Sequence, residues 1–328
     1  MTSSQPTLRP APSAMEGLRR LTGGPGTADR RAWRECRLAL EASGLRHTVL
    51  GPRRSGGLLY RSAPAMARAL RLVGLHGLGE RNARTPVLER RELALQALPA
   101  AFEGYRILHL SDPHFENLPG LAESAARQLR DAAVDLVAIT GDFQHHWWVE
   151  PQAAVEALAL LLDGLRAADG CLAVLGNHDG AGLVEPLEAA GVLVLVNEHA
   201  AVTRGGERLI FTGTDDPACF FTAGALSALE AAPEGLRIAL VHSPELAQPA
   251  AAAGHSLYLC GHTHGGQICL PGGRPLVTQL TVNRHLARGW WRQGAMVGHT
   301  SRGLGSANLS VRFNCPPAMT LITCRRPA

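Results

Sequence analysis

The chain has no lysine, so all 32 of its basic residues are arginine. It has no run approaching the roughly 18 uninterrupted apolar residues of a spanning helix. Its longest apolar stretch, AVEALALLLDGL, is short and broken by charge. The N-terminal stretch MTSSQPTLRPAPSAMEGLRRLTGG has no apolar core of a secretory signal, and glycines follow Arg19-Arg20 where a twin-arginine signal would be apolar. The seven cysteines are odd in number and lack paired close spacings, which argues against a disulfide framework and for a reducing compartment. The expectation is a cytoplasmic chain, either soluble or peripheral at the inner face of a membrane. Charged residues at 18% against hydrophobic residues at 46% exclude wholesale disorder.

A length of 328 residues suits one large domain or one domain with an extension. The net charge of +4 hides an asymmetry: residues 1–100 hold 17 Arg against 7 Asp and Glu, net +10, and residues 101–328 hold 15 against 21, net −6. The division expected is an arginine-rich N-terminal extension over residues 1–83, partly helical and partly mobile, and a catalytic domain over residues 84–328. Residues 1–30 are rich in Pro, Gly, Ser and Thr, and helices are expected over 30–45 and 64–75. PVLERRELAL is expected to form an edge strand beside RILHL.

From Phe102 onward short apolar runs alternate with alanine- and leucine-rich helical stretches, the pattern of an α/β fold with largely parallel strands. VLVLV is expected to open a hairpin that turns at Gly205-Gly206 and returns through RLIFTG. The residues at the ends of the runs carry the chemistry. RILHL leads to Ser111-Asp112-Pro113-His114, DLVAIT to Gly141-Asp142, CLAVL to Gly176-Asn177-His178-Asp179, RIALV to His242, and SLYLC to Gly261-His262-Thr263-His264. In α/β sheets the carboxyl ends of parallel strands are where ligands bind, so Asp112, His114, Asp142, Asn177, His242, His262 and His264 pool at one edge.

Seven oxygen and nitrogen donors are too many for one tetrahedral zinc and suit two cations held by imidazole and carboxylate. Two cations close together need a bridging anion, and Asp142 can supply it through two oxygens. Alternate residues of an extended chain point the same way, so Asp112 with His114, and His262 with His264, can face one cavity. Singly these residues have ordinary explanations: Gly-Asp is common turn chemistry, and a lone histidine after a strand is usually a satisfied core or surface group. Gly-Asn-His-Asp and Gly-His-Thr-His are more distinctive, and five elements in order outweigh the ordinary explanation. Cys260 and Cys269 are read as small buried hydrophobes.

Asp-x-His, Gly-Asp, Gly-Asn-His-Asp, a lone His and Gly-His-x-His in this order resemble the calcineurin-like metallophosphoesterases, over about Phe102 to Thr323. GHTHGGQICLPGG and SRGLGSANLSVRFNCPP are similar to the small bacterial branch that includes cell-wall-associated phosphoesterases and certain UDP-2,3-diacylglucosamine diphosphatases. The resemblance implies a four-layer α/β/β/α sandwich of two mixed sheets. It implies one divalent metal, manganese, iron or zinc, held by Asp112, His114, Asp142 and His264, and a second held by Asp142, Asn177, His242 and His262. His178 would lie beside the scissile phosphate.

The reaction this implies is hydrolysis of a phosphodiester or diphosphate of a small or lipid-linked molecule by a hydroxide held between the metals. His178 would act as general acid or charge stabiliser, and Asp179 is carried with it as a catalytic candidate, supporting it or closing a turn. Relatives often have Asp or Asn where this chain has His145, so the group that orients His178 is left open. Phe115 is expected to narrow the cavity. Trp147-Trp148 and Trp290-Trp291 are read first as packing, with an apolar rim to the cleft as the alternative. The alternatives in function are a phosphomonoesterase, a nuclease, which the acidic catalytic segment disfavours, and a catalytically silent scaffold. Residues 1–75 supply no ligand and are expected to be dispensable for the chemistry; they are either a solvated extension or the contact with an anionic membrane.

Overall fold

The computed structural model describes residues 18–21, 29–54, 58–280 and 282–327, so the mobility expected of residues 1–30 falls almost wholly outside the described residues. In chain order, β1 (Leu18–Leu21) precedes α1 (Arg30–Ser43), the hairpin of β2 (Leu45–Thr48) and β3 (Gly51–Arg54), and the helices α2 (Leu58–Leu72) and α3 (His76–Ala83). Then come β4 (Val87–Ala94), β5 (Arg106–Leu110), α4 (Leu121–Leu129), β6 (Leu136–Thr140), α5 (Gln152–Leu162), β7 (Cys171–Val174), α6 (Val184–Ala189) and β8 (Val192–Val194). The second half runs β9 (Glu198–Arg204), β10 (Glu207–Gly213), α7 (Ala223–Glu230), β11 (Leu236–Leu240), α8 (Ala247–Ala252), β12 (Leu257–Cys260), β13 (Gly289–Gln293), β14 (Met296–Thr300) and β15 (Ala318–Arg325).

The strands form two mixed sheets, ordered β4-β15-β5-β6-β7-β8 and β1-β9-β10-β11-β12-β14-β13. Within the first, β5 to β8 are mutually parallel; within the second, β10, β11, β12 and β14 are. Their sequences are apolar on both faces because both faces are covered. In β6, Leu136 and Ala138 enter the core between the sheets, joined by Phe211, Ile238 and Leu259 from the other sheet. Val137 and Ile139 point the opposite way, into a core shared with α4, α5 and α6. A third core packs α7 and α8 on the outer face of the second sheet through Ala225, Leu229, Val241 and Tyr258. The layers are therefore α/β/β/α, as the resemblance implies. Each fully buried leucine or isoleucine in these cores contributes roughly 1.5–3 kcal/mol.

Three local expectations need correction. VLVLV does not open the hairpin: Val192–Val194 is the edge strand beside β7, and the chain crosses to the other sheet around Asn197, whose φ is 57°. The hairpin that turns at Gly205-Gly206 is β9 with β10. PVLERRELAL is an edge strand, but it pairs with β15, which lies between it and β5. The second expected helix begins earlier, at Leu58, and contains Pro64.

The arginine-rich segment is stitched into the fold. β1 pairs antiparallel with β9, and α1 starts at Asp29, whose side chain caps the amides of Arg31 and Ala32. Trp33 of α1 joins the core beneath α4–α6. Its arginines meet carboxylates of the acidic part: Arg20 and Arg30 pair with Glu188 and Glu198, Arg34 with Glu185, and Arg37 with Asp215. Oppositely charged groups of the two segments thus meet at these pairs within one chain.

Candidate metal centre

The site forms where β5, β6 and β7 of one sheet and β11 and β12 of the other deliver their carboxyl ends. The convergence does not come from extended backbone, as the alternation rule suggested. Asp112 (φ 51°), His114 (φ 39°), Asp142 (φ 59°), His262 (φ 70°) and His264 (φ 51°) are all left-handed. A non-glycine residue held there costs on the order of 1 kcal/mol or more, and such strain gathers at functional sites. The motif glycines have a steric reason. A Cβ on Gly176 would collide with the Asp142 carboxylate, and one on Gly261 with Ser111 and the Asp112 carboxylate.

Donor atoms of Asp112, His114, Asp142 and His264 lie within 4.8 Å of one another, and those of Asp142, His242 and His262 form a second group. All six residues are buried. In the first group His114 Nε2 is 3.2 Å from His264 Nε2 and 3.5 Å from Asp142 Oδ2, and His264 Nε2 is 3.6 Å from Asp112 Oδ1. In the second, His242 Nε2 is 3.0 Å from Asn177 Oδ1, 3.2 Å from His262 Nδ1 and 3.3 Å from Asp142 Oδ2. Asp142 is shared, but through one oxygen rather than two: Oδ2 faces both groups, while Oδ1 accepts the His178 amide at 2.8 Å.

The donors suit cations. His242 Nδ1 donates to the Thr140 carbonyl at 2.7 Å, which leaves a lone pair on Nε2 aimed at an amide oxygen, a carboxylate and another imidazole. His114 is set the same way, with Nδ1 donating to the Gln144 carbonyl at 2.7 Å. Acceptors facing acceptors require positive charge between them. Burial pushes His114 and His262 down to about 3, so they stay neutral, as a metal ligand must. Burial works against charge on His242 too, but Asp142, Asp112 and Asp216 outweigh it and hold it well above the usual histidine range, so without a metal ion a proton on Nε2 would supply the positive charge that a divalent cation would otherwise bring. Burial, with Asp142 adding to it against the opposing pull of His242, lifts Asp112 to about 7, a cost that cations would relieve. The set is nitrogen and oxygen throughout, matching borderline divalent metals. Cys260 is buried with its thiol raised by burial, and Cys269 is buried as well, as expected of small hydrophobes.

His178 sits at the mouth, its ring 5.0 Å from that of His114. Its Nδ1 lies 2.5 Å from the main-chain carbonyl of His145, so the backbone of His145 orients the ring. Of the two parts left open for Asp179, its contacts are those of the turn-closing one. It is fully buried, and its oxygens accept the amides of Asp142 (2.7 Å), Gly176 (2.8 Å) and Gln144 (3.0 Å). A carboxylate spent on three backbone donors fixes the β6 and β7 loops together. Phe115 also differs from expectation, packing in the core of α4 and α5 rather than against the cavity. The tryptophan pairs divide: Trp290 and Trp291 pack on the cores, whereas Trp147 and Trp148 line a cavity beside Asn177 and His178.

Sequence reasoning missed the residues that brace the site. Arg37 of α1 pairs with Asp215 and Glu41 and donates to the Asp179 carbonyl at 2.6 Å and the Gly176 carbonyl at 3.3 Å. Arg312, wholly buried, donates to the carbonyls of Arg302, Gly305 and Cys315 and lies 3.3 Å from His264 Nδ1. Neither comes after an apolar run, which was the signal that marked the ligands.

These features have counterparts. The profile of the calcineurin-like phosphoesterase family matches residues 105–266. The chain is 31% identical over 224 residues to the uncharacterized metallophosphoesterase YkoQ of Bacillus subtilis, covering 65% of this chain and 81% of that one. It is 29% identical over 245 residues to YkuE of the same organism, covering 70% and 82%, and 28% identical over 229 residues to the phosphodiesterase YaeI of Escherichia coli, covering 66% and 81%. The chain belongs to the calcineurin-like metallophosphoesterase family.

Proposed function

We propose that the chain hydrolyses a phosphodiester or diphosphate with two divalent cations, one at Asp112, His114, Asp142 and His264 and one at Asp142, Asn177, His242 and His262. The observation that carries this is the position of Asp142 Oδ2, 3.5 Å from His114 Nε2 and 3.3 Å from His242 Nε2, between two buried sets of donors. Such a cation pair supplies a nucleophilic water near neutral pH and neutralises phosphoryl oxygens. His178, with Nδ1 committed to the His145 carbonyl, presents Nε2 to the leaving oxygen and protonates it. Asp179 keeps the Asp142 amide in place throughout. A diester is favoured over a monoester because cavities flank the site on both sides, one beside Asn177 and His178 and one beside Thr263 and His264.

The test is a panel of para-nitrophenyl phosphate and bis(para-nitrophenyl) phosphate assayed with manganese, magnesium, zinc and iron, beside metal analysis of Asp142→Asn. The diester should turn over faster, and Asp142→Asn should lose both metal and turnover. A variant with two metals per chain and a near-normal rate sinks the dinuclear reading.

Peripheral contact with an anionic membrane is the second part of the proposal, and the docking of α1 narrows it to the α2–α3 region. There Leu72 (82% exposed), Val73 and Leu75 stand in solvent near Arg68 and Arg71. Each arginine close to such a surface contributes on the order of 1 kcal/mol. Sedimentation with anionic vesicles should deplete the wild type at low salt and spare Leu72→Asp; equal depletion of both removes this role. No described helix is long and apolar enough to cross a membrane.

A further inference from the structure

The cavity beside His178 has a volume of about 270 Å³ and is lined largely by apolar groups from two distant parts of the chain. Leu40 and Leu45, at the end of α1 and the start of β2, form one wall; Trp147 and Trp148 form the other, over Phe220. The aromatic wall is braced. Trp147 meets Phe220 edge-on at 5.9 Å and Trp148 edge-on at 4.9 Å, and the Arg37 guanidinium lies 3.5 Å from the Phe220 ring centre. His146 stacks on Trp148 at 4.3 Å. The β2 wall is fixed by main-chain bonds from His47 to Cys219 and from Phe221 to His47.

Trp148 is 65% exposed and Leu45 38%, so large apolar groups are held in water next to the reacting centre. Core packing does not account for that, whereas a ligand that covers them does. Glu41, the acid of the lining, is already committed to Arg37 and to the Ala181 amide, so it adds little net charge. A cavity of about 150 Å³ is known to hold benzene, so this one has room for a single ring system or a short branched chain.

We propose that α1, β2 and the Trp147-Trp148 loop form the subsite for the organic group on the leaving side of the phosphate, and that this group is a compact apolar or aromatic one. The proposal rests on the phosphoesterase reading for which side the group occupies. The so-called extension would then be part of the substrate site and would set its specificity.

The test is calorimetric titration of full-length, manganese-loaded protein with phenylphosphonate and methylphosphonate, neither of which is hydrolysed. Phenylphosphonate should bind about tenfold more tightly, and Leu45→Asp and Trp148→Ala should each bring the ratio of the two affinities close to one. Equal affinities in the wild type, or a ratio that survives both substitutions, overturns the subsite. Phenyl preference in a protein that hydrolyses no ester leaves the subsite standing and removes the proposed function. Diester hydrolysis without phenyl preference does the reverse.

Discussion

Asp179 and His178 are neighbours with unlike duties, and only their hydrogen bonds separate them. Asp179 accepts three backbone amides and has no exposed surface, so Asp179→Asn would turn an amide N–H2 towards a backbone N–H. A loss of about 1–3 kcal/mol is expected, read by urea denaturation, with reduced metal content because the Asp142 amide loses its anchor. His178→Ala should keep its metal and lose about 10²–10⁴-fold in rate, the usual worth of a positioned acid. Equal loss of metal would instead make His178 a ligand. Both residues sit in one four-residue motif that the sequence displays openly, yet the motif alone left Asp179 between supporting His178 and closing a turn. Backbone amides have no letter in a sequence.

At the scale of elements, α1 is the decisive case. Its arginines gave the N-terminal segment the look of a solvated extension, but Arg37 is buried and holds Asp215 together with the carbonyls that precede and follow Asn177-His178. Arg37→Met would leave Asp215 buried without its cation, although Trp33 Nε1 still donates to it at 2.7 Å. Removing one partner of a buried pair costs about 3–5 kcal/mol, measurable as a shift in the urea midpoint. Turnover should fall as well, since the loop bearing Asn177 and His178 loses its brace. A chain shortened to begin near Leu75 should therefore be impaired, against the expectation of dispensability; an undiminished rate would show that α1 is only ornament to the site. Arginine composition could not reveal this, because the partners Glu185, Glu198 and Asp215 lie some 150 residues or more away in sequence.

Buried histidines also lie away from the site, and their burial works against stability in acid. Burial pushes His255 down to about 4 and His299 to about 3, and pushes His109, which faces His299 across the two sheets at 3.0 Å, well below its ordinary value. Their folded pKa values lie below the unfolded value, so below about pH 6.5 the unfolded chain binds more protons and stability falls as pH drops towards 4 and 3. Each such group contributes a slope of about 1.4 kcal/mol per pH unit within its window. His255→Gln can keep contacts to the Ala250 carbonyl and Thr212 while removing one titrating group. Its stability between pH 4 and 6.5 should fall less steeply than that of the wild type; parallel slopes would show that His255 is protonated in the folded state.

The sequence by itself determined the strands and the residues that stand at their ends. Buried parallel strands must be apolar on both faces and are short, so RILHL, DLVAIT, RIALV and SLYLC stand out, and the Asp, Asn and His just beyond them stand out in turn. The order of those motifs was enough for the family and the four-layer fold. Only the tertiary structure decided how the candidate ligands converge, because the left-handed residues Asp112, Asp142 and His264 pack closely against Gly176, Gly261 and Gly303 of other loops. It alone decided that β15 separates β4 from β5, since pairing between distant strands leaves no local trace. It alone joined α1 to the site, because a salt bridge is a meeting of two residues in space and a sequence records each of them separately.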